Sequence, residues 1–149
     1  MMNRRNFIGF LALTSLAATQ ALAGRSSVFH QAGTAIHGID PVGYFTDGRP
    51  IEGVDAHRLT WRNVTWRFAS ALNMAMFERD PHGFSPQYGG YCAMSMSLGQ
   101  ISDSTPNAWA IHQNKLYLTY SIKVRDMWRR DPINYIAKAD GHWPTVLYE

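Results

Sequence analysis

Cys92-Ala93-Met94-Ser95-Met96 is the stretch whose residue types could most directly do chemistry. A thiolate and a thioether are soft donors, and soft donors suit Cu(I). On a strand, residues two apart face the same way. They are separated by roughly 6.6 Å, and residues four apart by about 13 Å. Two sulfurs on one ion stand at most roughly 4.6 Å apart. Cys92 and the flexible Met94 can therefore converge on a strand, whereas Cys92 and Met96 cannot. A third ligand must come from elsewhere, and His112, His82 and His57 are the candidate donors. The expected site has Cys92 as the anionic ligand and Met94 and His112 as neutral partners, around copper or another soft metal ion. The competing reading is a Met/Cys stripe in the core, because Met fills irregular gaps and free Cys is among the most buried residue types.

Cys92 is the only cysteine, so no intramolecular disulfide forms. Its thiolate could instead be a nucleophile, with His112 as base and Asp103 or Asn107 as orienting group. Tyr88-Gly89-Gly90-Tyr91 just before it is a flexible turn that permits close backbone approach to a ligand or an oxyanion. The same four residues also read simply as a turn that needs positive φ. The histidines at 30, 37, 57, 82, 112 and 142 match no zinc-ligand spacing. His30 and His37 could form a loose surface site. No nucleophile elbow, phosphate loop or dinucleotide fingerprint occurs. A non-catalytic binding module is therefore the expectation, with a thiol-dependent enzyme or redox protein and a structural domain with Cys92 in its core as alternatives.

The chain has 149 residues, 46% hydrophobic and 17% charged, which describes one globular domain. The formal charge of +3 includes Arg4 and Arg5, and outside them twelve basic side chains face eleven acidic ones. No Lys/Arg run beyond two follows, so a nucleic-acid footprint is absent. Residues 1–23 read as a cleavable export signal: a short basic start, an apolar stretch over Phe7–Gln20, and Ala21-Leu22-Ala23 before the cut. That stretch is shorter than the roughly twenty residues a membrane span needs, so no stable anchor is expected after cleavage. Arg4-Arg5-Asn6-Phe7-Ile8 resembles a twin-arginine signal, with general secretory export as the alternative. The expected location is the bacterial periplasm.

The elements that must position these residues follow from pattern. Residues 24–38 are polar and rich in Ser and Gly, and read as a flexible lead-in. Asp40–Phe45 is a short apolar segment closed by Asp47-Gly48. Arg58–Trp61 and Thr65–Phe68 alternate as a hairpin with Leu59, Trp61, Trp66 and Phe68 inward. Ser70 caps a helix over Ala71–Arg79 that turns Met74 and Phe77 to one face. Tyr91–Ser97 reads as a strand, and Asn107–His112 with Lys115–Tyr120 as a second hairpin. Helices follow over 122–130, with Val124 and Met127–Trp128 inward, and from Asp131-Pro132 to Ala139. The five tryptophans are expected in the core. The sum is an α+β fold, a small antiparallel sheet built from hairpins with short packed helices.

Several of these segments together resemble the YHS domain family in its periplasmic single-domain branch. They are Ile39–Phe45, Trp66–Ser70 with Phe77, Pro86–Ala93, Lys115–Leu118, Ala139-Asp140 and Trp143-Pro144. The resemblance spans most of 39–149 in one order and implies the fold of that stretch. It also implies an association with copper-handling and other metal-handling proteins as partners. In the metal-associated form of the family, cysteines stand where this chain has Gly43, Ala69 and Asn73. All three thiolates are replaced here, which leaves Cys92 as the one soft anionic donor.

Overall fold

The computed structural model describes residues 24–149, so the expected export signal lies outside the described residues. Two sheets and six short helices make an α+β fold. Strands β1 (His30–Gln31), β2 (Thr34–Ala35), β3 (Val54–Trp61) and β4 (Val64–Phe68) form one sheet in the order β1-β2-β4-β3. Strands β5 (Trp109–His112) and β6 (Lys115–Leu118) form the other. Three pairings are antiparallel hairpins closed by the two-residue turns Ala32-Gly33, Arg62-Asn63 and Gln113-Asn114, all at positive φ. Such turns match the twist of the strands they join. The expected all-antiparallel sheet needs one correction, because β2 pairs with β4 in parallel. β3 already runs against β4 as its hairpin partner. The remaining edge of β4 is filled by a strand that returns from far upstream, and the direction of that approach makes it parallel.

The helices start where the sequence places caps. Ser70 Oγ accepts the Asn73 N–H at 3.1 Å and opens α2 (Ala71–Arg79), after α1 (Gly43–Thr46). Asp80 accepts from Gly83 N–H and opens α3 (Pro81–Phe84). α4 spans Ala93–Ser97, so the strand expected over Tyr91–Ser97 is a helix. Ser121 caps α5 (Ile122–Trp128), and Asp131 with Pro132 begins α6 (Pro132–His142). Among the described residues no helix is long and apolar enough to cross a membrane.

Two packed clusters share one wall. The first gathers Val28, Ile36, Tyr44, Trp66, Phe68, Phe77, Leu116 and Leu118 beneath the larger sheet. The second gathers Phe29, Tyr88, Tyr91, Met96, Tyr117 and Trp128 against α4 and α6. β6 sends Leu116 and Leu118 one way and Tyr117 the other, as the two-residue period of a strand requires. Val28 and Phe29 divide between the clusters in the same way. The lead-in is therefore a packed part of the domain, with Val28, Phe29, Ala35 and Ile36 all buried. Of the tryptophans only Trp66 and Trp128 are fully buried, and Met127 faces outward.

Candidate functional site

Cys92 stands at the N-terminal end of α4, 1% exposed. Its N–H donates to Ser102 O at 3.0 Å, and its Sγ accepts the Tyr120 N–H at 3.2 Å. Both atoms are thus engaged with the chain. The helix inverts the geometry expected of a strand. Residues two apart on a helix point to nearly opposite sides, and residues four apart share one. Met94 therefore diverges from Cys92, and its sulfur lies 3.9 Å from the Ser97 hydroxyl that donates towards it. Met96, four residues on, is fully buried in the second cluster.

His112 lies too far away to complete a site with Cys92. It pairs with Lys115 at the turn end of the β5–β6 hairpin, while Cys92 Sγ meets Tyr120 beyond the opposite end. Five residues of extended chain between those rows span about 16 Å. His112 instead sets its ring edge-on to Trp128, with centroids 6.4 Å apart. His82 packs in the same edge-on manner against Trp61, and His57 lies on β3. His37 bridges Gln31 and Ser104 through its two ring nitrogens, so it is not a loose surface ligand with His30. Among the described residues no three His, Cys, Asp or Glu side chains are grouped to hold a metal ion.

The turn Tyr88–Tyr91 does serve close backbone approach, and what approaches is the chain itself. Gly89 adopts φ +63, and a β-carbon there would overlap the carbonyl oxygen of Ser27. Gly89 O accepts the Phe29 N–H at 2.9 Å, and the Tyr91 hydroxyl donates to Ser26 O at 2.9 Å. Tyr88 donates to Asp140 Oδ1 at 2.8 Å, and Gly90 is buried. Gly89 and Tyr91 thus hold the segment 26–29 in place. Burial raises the Tyr88 phenol far above its ordinary range, and its hydrogen bond to Asp140 raises it further.

The positions that the resemblance pairs with thiolates meet around Asp40, which is fully buried. Its Oδ2 accepts from Ala69 N–H at 2.9 Å and from the Asn73 side-chain amide at 2.7 Å. Its Oδ1 accepts the Val42 N–H at 2.9 Å, next to Gly43. A β-carbon on Gly43 would stand 2.9 Å from Ile51 Cδ1. This arrangement fits a carboxylate that satisfies amides and does not fit a soft metal, since it offers no sulfur donor. Sequence reading passed over Asp40 as a site residue. The signal was its place before Pro41, where an Asp side chain commonly bonds the backbone two residues on.

An open cleft of about 470 Å³ lies elsewhere, between the segment 24–27 and the Arg62-Asn63 turn. Its residues are distant in sequence, and the parallel β2–β4 pairing and the Arg25–Leu147 hydrogen bond help bring them together. No family model, no characterised protein and no solved structure gives a match to this chain.

Proposed function

We propose that the chain is a non-catalytic, exported domain of the YHS type in which Cys92 is structural. The observation that carries this reading is the buried thiol. At 1% exposure, with its sulfur accepting a backbone N–H, Cys92 offers a reagent or an ion no accessible sulfur without local opening. The separation of His112 from Cys92 along β6 supports it against both a copper site and a Cys–His nucleophile pair. The order of the YHS-like segments and the convergence of Ala69, Asn73 and Val42, the neighbour of Gly43, on one carboxylate support the family reading.

Thiol labelling of the full chain under native, anaerobic conditions is the test. Labelling is expected only at the rate of global or sub-global opening, rising with urea as the fold opens. Cu(I) is expected to leave the thermal melt unchanged, because an ion bound only by the folded state would raise it. Labelling at the rate of a free cysteine, or a Cu(I)-dependent rise in Tm that disappears in Cys92→Ser, would overturn the reading.

A further inference from the structure

The cleft between the N-terminal segment and the β3–β4 turn is lined by Arg25, Ser26, Ser27, His30, Arg62 and Asn63, with Val64 as its floor. Among the described residues no carboxylate lines it. Neither Arg25 nor Arg62 forms an ion pair within 4.0 Å there, while Arg67 and Arg125 each have an aspartate. Glu149 lines only the neighbouring cleft, which Arg25 also borders. The charges of Arg25 and Asp103 both act on the Tyr91 hydroxyl, in opposite directions.

The polar groups present themselves as donors. Gly33 N–H donates to His30 Nδ1 at 3.3 Å, so the neutral ring carries its hydrogen at Nε2. Ser26 Oγ accepts the Val28 N–H at 3.2 Å, which leaves its O–H to donate elsewhere. The Arg62 guanidinium lies over the Trp61 ring, 4.5 Å from its centroid. Trp61 is in turn packed against Trp66, Phe77 and His82. A guanidinium held this way gives up less side-chain freedom on binding than a free one. Two arginines from different segments line the cleft together with residues that carry hydroxyl and imidazole donors, a set that suits a tetrahedral oxyanion with several acceptor oxygens.

We propose that this cleft is a binding site for a small soluble phosphate-type anion, inorganic phosphate or a phosphate monoester. It is separate from Cys92 and does not depend on the domain's family. A lipid headgroup offers the same chemistry and is the alternative source that the vesicle experiment separates.

Isothermal titration of the full chain at low salt tests the site, with inorganic phosphate, glycerol 2-phosphate and acetate as probes. The two phosphates are expected to bind more tightly than acetate. Arg25→Gln and Arg62→Gln should each weaken phosphate at least tenfold, whereas the exposed Arg130→Gln should leave it unchanged. All three arginines are solvent-exposed, so the variants are expected to fold, and their thermal melts verify it. Co-sedimentation with phosphatidic acid vesicles, compared between wild type and Arg62→Gln, separates the sources. Arg62-dependent pelleting without binding of the free anions would overturn the soluble-ligand proposal. Absence of phosphate binding, or equal weakening by all three substitutions, would overturn the site itself.

Discussion

Replacing Gly89 with alanine strikes the crossing that holds the N-terminal segment to the domain. The left-handed backbone at φ +63 costs an alanine about 1–2 kcal/mol relative to glycine. The new methyl would overlap the Ser27 carbonyl and stand 3.1 Å from Val28 Cα, so the segment must lift. Lifting it breaks the Phe29–Gly89 and Tyr91–Ser26 hydrogen bonds, each about 0.5–1.5 kcal/mol net. It also exposes part of Val28 and Phe29, whose full burial contributes about 1.5–3 kcal/mol each. With the backbone cost, both bonds lost and half of that burial, the total comes to about 3.5–8 kcal/mol. Such a loss is comparable to the whole stability of many domains of this size, about 5–15 kcal/mol. Gly33→Ala separates the two causes. Gly33 sits at φ +80 with nothing within 4 Å of its ideal β-carbon, so only the backbone term of about 1–2 kcal/mol applies. In urea, with m of about 1–3 kcal/mol/M, Gly89→Ala should lower the midpoint at least twice as far as Gly33→Ala. Trypsin should also cut after Arg25 faster in the Gly89 variant alone. Equal midpoint shifts in the two variants would refute the reasoning, since they would mean that the segment does not lie over Gly89 in solution.

Asp40→Ala should cost about 3–5 kcal/mol by thermal or urea melt, because it strands the Ala69 N–H and the Asn73 amide in a buried place. A cost below about 1 kcal/mol would show that these groups find water instead. Burial raises the phenols of Tyr44, Tyr88, Tyr91 and Tyr117, so the folded state holds those protons more tightly than the unfolded chain. Their contribution to stability is therefore fully present below the unfolded value of about pH 10 and is lost as pH rises above it. Urea midpoints from pH 8 to 11 should be level up to about pH 10 and then fall, with phenolate absorbance from these four groups appearing only on unfolding. A midpoint that rises with pH across that range would contradict the sign. Ser121→Ala removes the oxygen that accepts the Val124 N–H at the start of α5, and should lower stability by about 1 kcal/mol in the same urea assay.

The parts of the fold legible in sequence are those fixed by local chemistry. Ser70, Ser121 and Asp131-Pro132 each start a helix because their side chains supply an acceptor to orphan N–H groups, and that signature is written within four residues. The two longer hairpins are legible for a similar reason, as short turns between alternating strands, although Val64 belongs to the strand and not to the turn that the sequence suggests. Helix α4 is not, because no side chain caps it and five residues are too few to display a helical period against the alternation at 92, 94 and 96. That one misreading moved Met94 away from Cys92 and dissolved the expected ligand pair. The lead-in hid its core residues as two isolated pairs, Val28-Phe29 and Ala35-Ile36, each split between or set against larger neighbours. No local pattern marks such pairs as buried. The site residues followed the same division. Asp40 could be read from its own turn, whereas the assembly of Arg25, His30 and Arg62 depends on which strand lies beside which.

The Arg25 N–H donates to Leu147 O, so one of the first residues of the domain is fastened by one of the last. Ribosomes add about 5–20 residues per second, and residue 147 therefore follows residue 29 by about 6–24 s. During that interval Val28 and Phe29 meet core partners such as Ile36, Trp66 and Tyr91 as these are made, but the segment stays unfastened at Arg25 until Leu147 follows.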